Sequence, residues 1–387
     1  MTSRTVNAGG RAWRFSPDGA PGRAQRVQAM VDLTVTSEPD GALTEPASVR
    51  APSRPGLTPR NGPGGRAGLA GRPVDTLPPA AIAGTDIAVE VSAPGHLTQA
   101  ITVTLTAPPQ PGRSVLLHGE PVAIWGQVVR VAAGVPSPVS GATVRVVGFA
   151  PRRTDPVTSL PDEDLLAIGG GLRAAREAQG PKAAVLRRRQ LPLAETYALL
   201  RGAGAGETVL SLSGRQSLTV PVVPGSPDLL LIEPGEAERL EVLAVTAIAG
   251  TASAAAPATV TLAYPLRRVH PEGAPVRRVA AALPGPDVAL RRPAATGDVT
   301  LLAADASGFA GFAFVEVATP GGIPTAEHHP LLQLAVITDA EGRFRLPALH
   351  RARTLSLEVA PPVGAAVTLP VDLGPGGPVR TEELRLS

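Results

Sequence analysis

The chain contains no cysteine, which excludes a disulfide framework and any thiolate metal site. Aromatic residues make up only 3%, so a core has to be filled by Val, Leu and Ala, and stacking platforms for nucleic-acid bases are scarce. A charge excess is missing as well. Thirty-six basic residues face 33 acidic ones for a net charge of +3, and the densest basic run, Arg187-Arg188-Arg189, has no interleaved aromatics, so no nucleic-acid partner is expected. No apolar run approaches the roughly 18 residues of a membrane span. The first residues, Met1-Thr2-Ser3-Arg4-Thr5-Val6-Asn7, lack the apolar centre of a secretory signal. The expectation is a soluble chain that assembles in the cytoplasm and leaves, if it leaves, as part of a virion or extracellular particle.

Glycine (42) and proline (43) are what the chain has in abundance, and they fall between short Val/Leu runs. That pattern predicts many short strands joined by turns, and 387 residues allow two to four domains. Residues 1–20 read as a polar arm anchored only by Trp13 and Phe15, either docking on a neighbour or folding back on its own domain. Val27, Ala29, Val31, Leu33 and Val35 alternate with polar residues, as do Ile87, Val89 and Val91, and after a turn at Ala93-Pro94-Gly95-His96, Ile101, Val103 and Leu105. Residues 21–108 are therefore expected to form a small β-sandwich, with part of 37–80 as long loop.

From Val122 to Val129 and again from Gly141 to Gly148 (Gly141-Ala142-Thr143-Val144-Arg145-Val146-Val147-Gly148) two strands are expected. Their continuation is Thr338-Asp339-Ala340-Glu341-Gly342-Arg343-Phe344-Arg345-Leu346, with later strands at Leu355 to Val359 and Val367 to Leu373. Asp339 and Gly342 are suited to a tight turn, and Phe344 and Trp125 to the core. These flanks resemble a carboxypeptidase-regulatory-like, prealbumin-like sandwich split by an insertion, 111–148 with 331–387; the ending Val91-Ser92-Ala93-Pro94-Gly95-His96 resembles the same group. That resemblance implies no catalysis.

Within the insertion, Ser159 as an N-cap, Pro161 in a first turn and Leu165, Leu166, Ile168 and Leu172 predict a helix, as does the stretch Lys182 to Leu200. Residues 149–205 are thus expected to be a minor helical segment. The acidic run Asp162-Glu163-Asp164 fits the start of the first of these helices. Strand signals return at Thr208-Val209-Leu210, Asp228 to Ile232, Glu238 to Val242 and Thr259 to Leu266, followed by His270, Gly273 and Val276. Their order over 206–278 resembles a small all-β module found in phage-tail, virion and extracellular bacterial proteins. In such a module His270 closes a barrel through backbone hydrogen bonds. Residues 283–330 read as a shortened second copy: Gly297 to Leu302 answers Gly206 to Leu210, Phe314 to Val317 answers Leu230 to Glu233, and Glu327 sits where Glu238 sits.

The fold class expected is all-β and multidomain, with prealbumin/Ig-like sandwiches, an inserted small β-barrel (206–282, echoed over 283–330) and a minor helical segment. No catalytic, cofactor or metal site is expected. Glu327-His328-His329 reads as a turn with solvated histidines, since neighbours on a strand point to opposite faces. Serine-nucleophile and phosphate-loop motifs are missing. Asp339, Gly342, Phe344, Trp125, Gly141, His270 and Gly273 are expected in structural roles. The function expected is that of a non-enzymatic structural or adaptor component of a phage-tail-like particle, with protein subunits or further copies of itself as partners. The alternative is a surface adhesion or glycan-binding protein. An enzyme would need carboxylates such as Glu238, Glu241 and Glu327.

Overall fold

The computed structural model describes residues 4–8, 11–15, 25–37, 41, 43, 45–62, 64–71, 84–105, 112–150, 165–189, 193–218, 228–234, 239–250, 256–279, 286–320, 326–349, 354–373 and 379–386. All are strand, turn or connection except a single helical turn at Ser307–Phe309.

The alternating segments at the N-terminal end build a sandwich. One sheet contains β1 (Arg4–Ala8), β2 (Arg11–Phe15), β3 (Gln25–Ser37), β5 (Thr58–Asn61) and β6 (Arg66–Gly71), with β9 (Arg113–Leu117) running parallel to β3. The other contains β4 (Ser48–Arg50), β7 (Asp86–Ser92) and β8 (Gln99–Thr104). The inward residues of the pattern, Val31, Leu33, Val35, Ile87, Val89 and Val91, fill the core between them. Three short strands lie within 37–80, in pieces too short to show a period. One expectation changes here: Arg113–Leu117, expected in the second sandwich, completes the first by pairing with β3. The N-terminal arm is a hairpin whose second strand extends this sheet.

The second sandwich has the same plan. Strand β10 (Val122–Ala132) pairs with β11 (Val135–Pro138), antiparallel with β26 (Arg343–Leu349) and parallel with β29 (Val379–Leu386). The facing sheet is β25 (Ala335–Ile337), β12 (Thr143–Ala150), β27 (Thr354–Ala360) and β28 (Val367–Val371). Residues more than 200 apart in sequence thus pair directly, as Gly126 does with Phe344.

The inserted residues form two six-stranded, strongly curled half-barrels. The inner one, residues 193–279, is β15 (Leu193–Ala198), β16 (Val209–Leu212), β17 (Leu229–Ile232), β18 (Glu241–Ala249), β19 (Ala258–Leu262) and β20 (Pro275–Val279), in the spatial order β15-β20-β17-β18-β19-β16. The outer one combines β13 (Leu165–Ile168) and β14 (Val185–Arg189) with β21 (Val288–Ala289), β22 (Thr300–Leu302), β23 (Phe314–Ala318) and β24 (Glu327–Leu332), in the order β21-β14-β23-β24-β13-β22. The two orders match strand for strand, so the outer copy is made from both flanks of the inner one. Each sheet curls until its ends meet, at the bridges Leu199–Leu212 and Leu290–Ala303.

The helical expectation for 149–205 is overturned. Leu165–Ile168 is a strand with all four residues buried: Leu165 and Ala167 enter the core of the second sandwich, while Leu166 and Ile168 enter the half-barrel. A strand covered on both faces reads as a continuous apolar run, which periodicity alone does not separate from a helix. Lys182 to Leu200 contains two strands on either side of Pro192. Ser159, Pro161 and Asp162-Glu163-Asp164 lie outside the described residues.

Candidate functional site

The half-barrels meet along an approximate two-fold axis. Leu229, Leu231, Val242 and Ala244 of the inner copy pack with Phe314 of the outer copy, and β18 packs beside its equivalent β24. Matching hydrogen bonds fix the equivalences. Gly206 N–H donates to Leu266 O and Leu266 N–H to Glu207 O; Gly297 N–H donates to Leu172 O and Leu172 N–H to Asp298 O. Likewise Gly204 N–H donates to the Glu207 carboxylate and Ala295 N–H to the Asp298 carboxylate.

Arg173 and Arg267 are therefore equivalents, and they cross the axis reciprocally. Arg173 donates to Pro265 O of the inner copy at 2.5 Å and to Glu241 at 2.7 Å. Arg267 donates to the carbonyls of Gly170, Gly171 (2.6 Å) and Leu172 (2.6 Å) of the outer copy. Each copy also places one glutamate under the same pair of amides. Glu241 accepts from the N–H groups of Arg267 and Arg268, and Glu327 from those of Arg173 and Ala174. Glu327 thus matches Glu241, three residues from the expected Glu238, which lies outside the described residues; Phe314 to Val317 matches Leu229 to Ile232, one residue from the expected register.

The cations facing these glutamates differ. Glu327 meets Arg176 at 2.7 Å, with both side chains almost wholly buried, and His329 Nε2 at 3.0 Å. Burial alone would raise the carboxyl, but the His329 hydrogen bond and charge, the Arg173 amide and Arg176 hold it at about 2. Glu241 meets His270, which is fully buried; Nδ1 lies 2.6 Å from Glu233 and Nε2 3.2 Å from Glu241. Two carboxylate acceptors require a donor on each ring nitrogen, so this imidazole is held as the cation. Burial works against that charge, yet Glu241 and Glu233 together raise the His270 pKa above its ordinary value. Glu241 is correspondingly lowered: burial opposes, and His270, the two amides and Arg173 outweigh it. Glu233 is held in a left-handed backbone (φ 50°), with Arg239 at 2.8 Å.

Two sequence readings are corrected by this geometry. Glu327 and His329 belong to a buried strand and not to a solvated turn. His270 pairs its side chain with two carboxylates, while its backbone bonds to Ala203. The run Arg187-Arg188-Arg189 is also absorbed internally. Arg187 and Arg189 flank Glu316, which His328 also contacts and whose carboxyl sits at about 2, and Arg188 donates to Gly308 O. Arg173, Arg176 and Arg267 escaped notice in the sequence. Their signal was the echo Gly171-Leu172-Arg173 and Pro265-Leu266-Arg267, two short phrases that occupy equivalent places.

The remaining predicted residues sit elsewhere. Asp339 closes its turn by accepting from the N–H groups of Glu341 and Arg343, and Gly342 (φ 70°) lies where a Cβ would come 2.6 Å from Val128 O. Phe344 is buried against Gly126. Gly141 (φ 72°) bonds to Thr338 O, and Gly273 (φ 79°) to Leu199 O. Trp125, expected in the core, is 42% exposed, with the Arg345 guanidinium 4.8 Å above its ring. Its neighbours Ile124 and Gly126 alternate inward instead, so the pleat turns Trp125 out.

Beside the clasp, a cleft of about 760 Å³ opens between the half-barrels and β26. Among the described residues no group of three His, Asp or Glu could hold a metal ion.

No family model matches the chain, and no curated protein does. Among solved structures, the chain is similar to BcpA, the major pilin subunit of Bacillus cereus, at 8% identity and a TM-score of 0.17, over 92% of this chain and 98% of the pilin. A variant of the same pilin gives 9% identity and a TM-score of 0.16 over the same shares.

Proposed function

We propose that the protein is a non-enzymatic structural or adaptor component of a phage-tail-like particle, of the contractile-injection or prophage-tail kind. The observation that carries this reading is how the half-barrels use their buried ionisable groups. Glu241, Glu316 and Glu327 are each neutralised by arginine or histidine, and all three carboxyls are held low. Carboxylates held so low exchange protons poorly near neutrality, where general acid–base catalysis needs a pKa close to the working pH. One of these pairs, Arg173 with Glu241, crosses between the half-barrels and, with the Arg267 hydrogen bonds, ties them to each other, which suits a rigid building block. The resemblance of 206–278 to tail and virion modules supplies the kind of particle.

The test is light scattering of the purified chain, joined to electron microscopy of native lysate with an antibody against it. A symmetric oligomer, or label at one position on tail-like particles, is expected. A monomer that labels no particle overturns the reading. An adhesion or glycan-binding role is favoured by one observation, the exposed Trp125 with Arg345 across its face, because sugars pack on such rings. Glycan-array binding that disappears in Trp125→Ala would establish that alternative.

A further inference from the structure

We infer that the free end of the second sandwich is a self-association surface, and that its partner is the same surface of a second copy of the chain. The chain enters this sandwich at Val122, leaves it for the insertion after Ala150 and returns at Ala335, so the first sandwich and the half-barrels join it at one end. At the other end stand the β10–β11 hairpin and the loop from β27 to β28. Val131 to Pro136 reads Val-Ala-Ala-Gly-Val-Pro, and Pro361 to Ala366 reads Pro-Pro-Val-Gly-Ala-Ala; neither contains a polar side chain. Arg130 ties the two together by donating from Nη2 to Val363 O at 2.8 Å. Val135 is 67% exposed, Val363 76%, and Ile337, at the end of β25, 71%. Aliphatic side chains left this open on adjoining loops mark a contact surface.

A second observation points the same way. Ala133 and Gly134 turn the hairpin with left-handed backbones, φ 50° and 80°. Two-residue turns of this kind ordinarily take Asn-Gly or Asp-Gly. Alanine is strained there, and the apex is thereby kept free of polar side chains. The occupant follows from the chemistry. Loop peptide groups find no partners in hydrocarbon, and the Trp, Phe and Leu of a membrane-interface element are absent from both loops. Charge begins only at the border, where the turn Asp339 to Arg343 lies against Pro138 and where β29 ends. There Arg130, Arg343 and Arg385 stand beside as many carboxylates, Asp339, Glu341 and Glu383, so the rim has no net charge to keep two copies apart. An uncharged apolar centre within a balanced rim is complementary to itself under a two-fold rotation. Stable interfaces use roughly 20–30 residues a side. The two loops with Ile337 offer about half of that, which makes this a weak contact that gains strength where many copies are held together.

The test is sedimentation velocity of the full chain between about 1 and about 500 µM. A reversible dimer is expected, with a Kd on the order of 100 µM. Raising salt from about 50 to about 500 mM should leave it unchanged or tighten it. Val135→Asp/Val363→Asp should weaken it at least about tenfold, because each copy would bury two unpaired charges. Both side chains are exposed, so an unchanged melting curve will show that the variant is folded. Ala133→Asn is the second variant: it relieves the turn, and should raise the melting temperature while weakening the dimer about threefold. A monomer at every concentration, a dimer that both variants keep, or a dimer dissolved by salt overturns the proposal. So does flotation of the chain with phosphatidylcholine vesicles that is lost in the aspartate variant, which would assign this end to a lipid surface. The inference does not need the assembly reading above. A dimer lost in the aspartate variant, with no particle labelled, removes that reading alone; oligomers that the variant keeps remove this one alone.

Discussion

In the inner half-barrel the buried Glu241 faces His270; at the matching place in the outer half-barrel Glu327 faces Arg176. The backbone is the same in both: six strands in one order, a glutamate at the start of the fourth, and the same two amides pointing at its carboxylate. Each glutamate meets one arginine and one histidine, but Glu327 takes its arginine, Arg176, from its own copy, whereas Glu241 takes Arg173 from across the seam and has only His270 within its own copy. The inner copy compensates by surrounding its weaker cation with a second carboxylate, Glu233, at 2.6 Å. One scaffold thus holds the same buried glutamate with differently placed cations while the geometry of the seam is kept.

The sharpest way to break this comparison is to remove each cation. Arg176→Met leaves Glu327 buried with only His329 and two amides, and removing one partner of a buried pair costs about 3–5 kcal/mol. His270→Gln should cost less, about 2 kcal/mol, because Glu241 keeps Arg173 and Glu233 keeps Arg239. Urea unfolding midpoints of the two variants measure the difference. Equal losses would mean that the two glutamates are held alike and that the contrast between the copies is only formal.

Next in size are the responses to pH. Glu327 and Glu316 are held at about 2, below the ordinary 4.5, so each contributes stability that is full above about pH 4.5 and is lost as pH falls towards 2. A shift of that size corresponds to roughly 3 kcal/mol for each group. His270 acts in the opposite sense. Its folded pKa is raised, so its contribution is full below pH 6.5 and is lost as pH climbs through the raised value. Stability of the wild type should therefore decline on both sides, with the alkaline limb absent in His270→Gln and retained in Glu327→Gln. An alkaline limb that survives in His270→Gln would assign it to some other group.

How much of this could be read beforehand depended on distance along the chain. The turn at Asp339 to Gly342 and the alternating strands Asp86–Ser92 and Gln99–Thr104 were legible, because turn chemistry and a period of two are local signals. The strands Leu165–Ile168 and Val185–Arg189 were not. The first is buried on both faces, and the second carries arginines whose partners Asp287 and Glu316 lie about 100 or more residues away. The clasp was hidden for the same reason, and also because its outer copy is assembled from the two flanks of the inner one. An echo read in chain order finds Gly297 opposite Gly206 but has no place for residues 165–189.

The smallest expected effect separates the copies by their surroundings. Gly206 and Gly297 hold equivalent left-handed positions, φ 92° and 91°. A Cβ at Gly206 meets nothing within 4 Å, whereas at Gly297 it comes 3.1 Å from Leu97 of the first sandwich. Gly206→Ala should therefore cost only the backbone strain of a left-handed alanine, about 1–2 kcal/mol. Gly297→Ala adds the displacement of Leu97, about 1 kcal/mol more. The excess should vanish in a Leu97→Ala background, because the added methyl then has room, and the double-mutant cycle measures it as a coupling of the same size. A coupling near zero would mean that the first sandwich yields at Leu97 without resistance. A clear coupling would mean that the outer half-barrel, unlike the inner one, is braced on that side by a neighbouring domain. His118 makes the same connection, with its Nδ1 3.2 Å from the carboxylate of Asp298, the residue after Gly297.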